Sequence, residues 1–216
     1  MRSTWFAERA ALMMKNMRAI LTQRENDEKS VPAKLVGKLL GCKPAGFQFD
    51  IFTGKCRYIC ENFACPWCHY RNVVKSIYKL NFSISKITAF TANVTSFEAE
   101  DADNYLKAAE NEIKYEHKQF FKNSPVVVRR SRIRHTTNQI PLWFGTLSVI
   151  IPEYIVVKSK FNVFHANSTY AAKNLLAKLF QYTPIWASDC ADDFVVTSQY
   201  NYRRKSFNYW NCHEKY

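Results

Sequence analysis

Residues 126–152 read VVVRRSRIRHTTNQIPLWFGTLSVIIP, and how this stretch folds decides the architecture around it. Its first half, VVVRRSRIRHTT, is rich in β-branched residues and reads as a strand with basic side chains along it. Its second half, PLWFGTLSVIIP, is an apolar run that reads as a buried strand. Alternate side chains of a strand share a face, so Arg130, Arg132 and Arg134 are expected to form a row, with Arg129 beside it. Upstream, SKITAFTANV (85–94) is a β-rich run. DADNYLKAAENEIKYEHKQFFKN (101–123) is the clearest helix in the chain, opening with acidic residues where the helix dipole favours them. Downstream, STYAAKNLLAKLFQY (168–182) reads as a second helix with Ser168 as its N-cap. DDFVVTSQY (192–200) reads as a final strand leading into the tail NYRRKSFNYW. The order β-α-β-β-α-β predicts an α+β fold, an antiparallel sheet with two helices on one face in a split βαβ arrangement.

The chain has 216 residues, of which 47% are apolar and 15% aromatic, enough for a substantial buried core. Five glycines and seven prolines exclude collagen-like tracts and long flexible linkers. A net charge of +13 fits a partner with a phosphate backbone or an anionic surface. That charge is uneven. Residues 1–80 carry 14 Lys/Arg against 6 Asp/Glu, residues 81–124 carry 5 against 7, and residues 125–216 carry 12 against 5. The two ends are therefore basic, and an acidic helix lies between them.

Residues 1–40 are expected to form a helical arm, with Trp5, Phe6, Leu12, Met13, Met17, Ile20 and Leu21 on one stripe and a second helical stretch, AKLVGKLL, after Pro32. Lys15 and Arg18 interrupt the first apolar run, which argues against a secretory signal. No run approaches the roughly 20 apolar residues that a bilayer-crossing helix needs. The expectation is a cytoplasmic protein with no membrane partner.

Residues 41–80 change character, with a strand GFQFDIF and then four cysteines within thirteen residues, Cys56, Cys60, Cys65 and Cys68, the last two framing a CPWC turn. Thiolates at such spacings can converge on one tetrahedral Zn²⁺ at about 2.3 Å each. Local density favours Cys56 as the fourth ligand over the earlier Cys42. Seven cysteines, an odd number, read better as metal ligands plus spare thiols than as a disulfide framework. HYRNVVKSIYKLNF, after the turn, suits a helix that exposes Arg71 and Lys75. Residues 81–216 would then form the α+β domain.

Gly41-Cys42 before GFQFDIF, and Cys60, Cys65 and Cys68 in CENFACPWC, resemble the N-terminal segment of rolling-circle replication initiators of plasmids and phages. The order of elements to about residue 200 is also similar. The resemblance implies a structural zinc ion held by Cys42, Cys60, Cys65 and Cys68, with Cys56 as the alternative. It implies a sheet like that of the endonucleases named for a His-hydrophobic-His motif. It also implies a role in starting DNA replication at single-stranded or origin DNA. In that family two histidines on one strand bind a divalent ion, Mg²⁺ or Mn²⁺, and a Tyr hydroxyl attacks the scissile phosphate, nicking and rejoining DNA. Here PLWFGTLSV stands in place of the histidine strand, and the chain contains no His-x-His. His165, with Asn167 on the same face, and Tyr170 are the substitutes by chemistry.

For DNA, the basic candidates are Arg71, Lys75, Arg130, Arg132, Arg134, Arg203 and Arg204, interleaved in the tail with Tyr202, Phe207, Tyr209 and Trp210. Two functions are compatible with these residues. One is an initiator-like DNA-binding protein; the other is a non-catalytic zinc-containing regulator or accessory protein of a virus.

Overall fold

The computed structural model describes residues 85–180 and 206–212 throughout, together with Lys15, Cys65, Cys68, His69, Asn72, Val73, Ser76, Asp193, Val196, Thr197, Tyr200, Asn201 and Arg204. The chain divides into two compact units, Met1–Arg71 with Tyr182–Arg204, and Asn72–Gln181 with Lys205–Tyr216. Part of the expected 81–216 domain thus groups with the N-terminal residues. No described helix is long and apolar enough to cross a membrane.

The second unit is an α+β fold around a five-stranded antiparallel sheet. Its elements are β1 (Ile87–Ser96), α1 (Ala99–Glu116), α2 (Lys118–Asn123), β2 (Val126–Thr137), β3 (Ile140–Ile151), β4 (Asn162–Ala166), α3 (Thr169–Leu179) and β5 (Phe207–Trp210). The strands lie in the order β4-β1-β3-β2-β5. β2 and β3 form a hairpin of two twelve-residue strands, pairing from Val127↔Ile150 to Thr137↔Ile140. Its two-residue turn has φ of 50° at Asn138 and 65° at Gln139. Positive φ at both positions makes a type I′ turn, whose twist matches that of the flanking strands.

Registers across β1, β3 and β2 separate the side chains into two faces. On the first, Phe90, Ala92, Val126, Val128, Leu147, Val149 and Ile151 pack with Leu106, Ala109 and Ile113 of α1 and Phe121 of α2. The buried apolar positions of α1 fall at Ala99, Ala102, Leu106, Ala109 and Ile113, the three-and-four spacing that puts them on one stripe, with Asp103 and Glu110 buried beside it. Each fully buried Leu, Ile or Phe contributes about 1.5–3 kcal/mol. Gly145 lets α1 come close. A Cβ there would stand 2.6 Å from Val94 Cγ1 and 3.2 Å from Leu106 Cδ1.

The second face carries the buried side chains of Ile87, Ala89, Val127, Ile150 and Ala166. Helix α3 lies over this face. Its C-terminal end is tied down where Arg129 Nη1 donates to the Leu179 carbonyl at 2.6 Å and where the Phe180 ring lies 5.7 Å from that of Phe207. Ser168 caps the other end, its Oγ accepting from the Ala171 N–H at 3.2 Å as the sequence predicts.

Three expectations change. The two helices occupy opposite faces, because α1 and α2 fill the first while α3 carries the chain from edge strand β4 across the second to edge strand β5. The single helix over 101–123 breaks at His117 (φ −118°, ψ 32°), where the ring stacks on Phe90 at 4.7 Å. In the segment read as DDFVVTSQY, the described positions Asp193, Val196, Thr197 and Tyr200 are helical. The last strand is instead β5, paired from Val126↔Trp210 to Arg129↔Phe207.

Candidate nucleic-acid interface

Arg130, Arg132 and Arg134 form the expected row, opposite Leu147, Gly145 and Trp143 of β3, which places them on the face that α1 covers. Arg132 is 3% exposed, and its Nε donates to Asp103 Oδ1, whose other oxygen lies 2.8 Å from Lys107 Nζ. Burial pushes the Asp103 pKa up, but Lys107 and Arg132 together outweigh it and hold the carboxyl below its ordinary range. Glu110 is different. Arg130 Nε stands 3.2 Å from its Oε2 without hydrogen-bond alignment, and burial pushes the Glu110 carboxyl up despite the opposing pull of Arg130. Arg130 and Arg132 therefore belong to the interior between sheet and helix. Arg134 is half-buried at the outer end of the row. Arg129, on the other face, is also 3% exposed, and burial lowers its pKa to about 10, so it stays charged at neutral pH.

His165 sits at the edge of the sheet on β4, exposed and opposite Thr88. The Thr88 hydroxyl donates to the Glu153 carbonyl at 2.8 Å and accepts from the Ile155 N–H at 2.9 Å. A hydroxyl has one proton, so His165 Nδ1, 3.2 Å away, is the donor in its contact with Thr88 and the neutral ring keeps its lone pair on Nε2. Tyr154 lies against this ring, with centroids 4.9 Å apart. Beside them Ser85, Lys86, Pro152, Glu153, Tyr154 and Asn167 line an open crevice of about 520 Å³. The crevice includes Asn167, as the sequence pairs it with His165, but the tyrosine packed on the histidine is Tyr154. Tyr170 lies in the first turn of α3 and is 78% exposed.

Of the cysteines assigned to zinc, Cys65 and Cys68 are buried, and the His69 N–H donates to the Cys65 carbonyl at 2.9 Å. Cys68 and His69 are helical, as are Asn72, Val73 and Ser76, in keeping with a helix after the CPWC turn. Two buried thiols three residues apart fit a zinc knuckle. Cys42, Cys56 and Cys60 lie outside the described residues, and among the described residues no group of three or more His, Cys, Asp or Glu side chains is placed to hold a metal ion. Arg71, Lys75 and Arg203 also lie outside the described residues. Arg204 is exposed, its guanidinium 4.1 Å above the Tyr200 ring.

The outer end of the second face was not singled out in the sequence. Phe144 is 36% exposed there, with His135 6.2 Å away, ring to ring, and on the same face Phe164 of edge strand β4, opposite Ala89, is 44% exposed. Asn93, Thr95 and Asn162 are exposed on the same face. The signal was present in the alternation of PLWFGTL. Trp143 and Gly145 share the covered face with Leu147, which leaves Phe144 pointing the other way. No family model, curated protein or solved structure matches the chain.

Proposed function

We propose that this chain is a DNA-binding protein of the replication-initiator kind, serving a plasmid or phage. The observation that carries this reading is the segregation of charge across the sheet. The acidic residues Glu100, Asp101, Asp103, Glu110, Glu112 and Glu116 all belong to α1, over the first face, where two of them engage Arg130 and Arg132. On the second face, α3 contains Lys173 and Lys178 and no acidic residue. With a chain total of +13, the side whose described strands and helix carry lysines and no acidic residue is the one a phosphate backbone approaches with the least repulsion. Zinc held by Cys65 and Cys68 with two of Cys42, Cys56 and Cys60 belongs to the same reading and would shape the N-terminal unit.

A nicking reaction needs a metal-bound phosphate and a tyrosine in line. In this reading His165 Nε2 is the ligand to test, with Mg²⁺ or Mn²⁺ supplying Lewis-acid chemistry, and Tyr170 or Tyr154 the nucleophile. The second reading, a non-catalytic accessory protein, is favoured by β3, whose Trp143, Phe144 and Gly145 stand where the resemblance requires histidines. Two measurements test these readings. Affinity for labelled DNA should fall steeply and linearly on a log-log scale with added salt; a flat response excludes phosphate contacts. A covalent adduct with hairpin DNA in Mn²⁺ selects the enzyme, and its absence selects the accessory protein.

A further inference from the structure

We propose that the second sheet face carries a stacking platform for single-stranded DNA, running from Phe144 at its outer end to Phe164 on edge strand β4, with each ring holding an unpaired base. The proposal rests on the DNA-binding reading above and adds the site and the strandedness of the ligand. Phe144 pairs with Thr95 of β1 and Phe164 with Ala89, so the two rings are six positions apart along β1, about 20 Å. Thr95, Asn93 and Asn162 lie along this line on the same face, all exposed, with the buried Thr91 beside Asn162. The result is a diagonal track across β3, β1 and β4, aromatic at both ends and hydrogen-bonding in the middle. His135 flanks the Phe144 end at 6.2 Å.

Three features select the occupant. Exposed ring faces separated by short amide and hydroxyl side chains suit unpaired bases, which offer a π-face for stacking and an edge for hydrogen bonds. A duplex keeps those faces stacked inside itself. The apolar groups stand singly on this surface, unlike the continuous patch that a protein partner would cover. No Asp or Glu is placed on this face by β1–β4, and α3 beside it contributes Lys173 and Lys178, so the local charge is complementary to a polyanion.

The test is fluorescence anisotropy of the full chain with labelled oligo(dT), with a hairpin duplex and with oligo(U), at low and moderate salt. Phe144→Ala and Phe164→Ala are each expected to weaken oligo(dT) binding about 5- to 150-fold, the range for removal of one stacked base. Phe144→Tyr should restore affinity, and duplex binding should change little in all three variants. Both rings are exposed, on different strands, so a melting curve for each separates a lost contact from a lost fold. If the wild type binds DNA with a steep salt dependence but neither alanine variant weakens oligo(dT), the platform is overturned and the DNA-binding reading survives. If the wild type binds no DNA, both fall. Equal weakening of duplex and single strand, preference for oligo(U), or a change only in sedimentation, the mark of a second copy on this face, would each also overturn the platform.

Discussion

The two faces of the sheet differ in where they hold paired charge and where they expose aromatics. The face under α1 takes in Arg130, Arg132, Asp103 and Glu110 and closes over them with Phe90, Leu106, Ile113 and Leu147. The other face leaves Phe144 in solvent at its outer end and Phe164 in solvent on edge strand β4, while α3 lies over the inner end. A basic strand such as VVVRRSRIRHTT is therefore not a basic surface. Two of its four arginines are consumed by a helix and a third, Arg129, holds the C-terminal carbonyl end of α3. What remains for a ligand is decided by which side the acidic helix takes.

The sharpest break in this contrast is Asp103→Ala, which leaves Arg132 charged in the interior. Removing one partner of a buried pair costs about 3–5 kcal/mol, and a urea melt should show a loss of that size. An unchanged midpoint would mean that the pair does not hold the covered face. Next is Gly145→Ala. Its methyl would strike Val94 and press on Leu106, and overpacking of this kind costs about 1–3 kcal/mol, read from the same melt.

Glu110→Gln should change stability by less than about 1 kcal/mol at pH 7, and upward, because burial makes its ionised form the disfavoured one. The two carboxylates also separate by pH. The Asp103 pKa is held down, so its contribution is complete above about pH 4 and is lost as pH falls through the folded value. Glu110, held up, is penalised at neutral pH, and acidification relieves that penalty as the folded state takes up the proton first. Stability measured from pH 7 to pH 3 should thus fall more steeply in Glu110→Gln than in the wild type. The smallest effect is on the open face, where Phe144→Ala should shift the midpoint by no more than about 0.5 kcal/mol.

Strands β1, β2 and β3, the helix over α1 and the Ser168 cap were legible because each is a local pattern with its own period or capping chemistry. The fate of the arginine row was not. Its partners lie some 20 to 30 residues upstream on α1, and the strand alternation that aligns the row does not say which face the helix will cover. The same ambiguity hid the position of α3, whose buried Ala172 and Leu176 would suit either face. The segment with Asp193 misleads for another reason. Its β-branched residues point to a strand, while the helical repeat is carried by buried polar side chains, Asp193, Thr197 and Asn201, at four-residue spacing. Asn201 Nδ2 donates to the Thr197 carbonyl at 2.8 Å, a bond invisible to hydrophobic periodicity. At the sheet edge, His165 was identified but Tyr154 was missed, since ten residues of chain lie between two rings that pack together.

The two-residue turn at Asn138 and Gln139 sets a temporal order on the molecule. A hairpin that closes over two residues forms in about 1–10 μs, whereas joining β4 to β1 requires the chain between Ile87 and Ala166 to be gathered first. Phe144 thus takes its place with the first structure to form, and Phe164 with one of the last. The distance between those rings is a clock for the final stage of folding, and a dye pair at the two positions would read it.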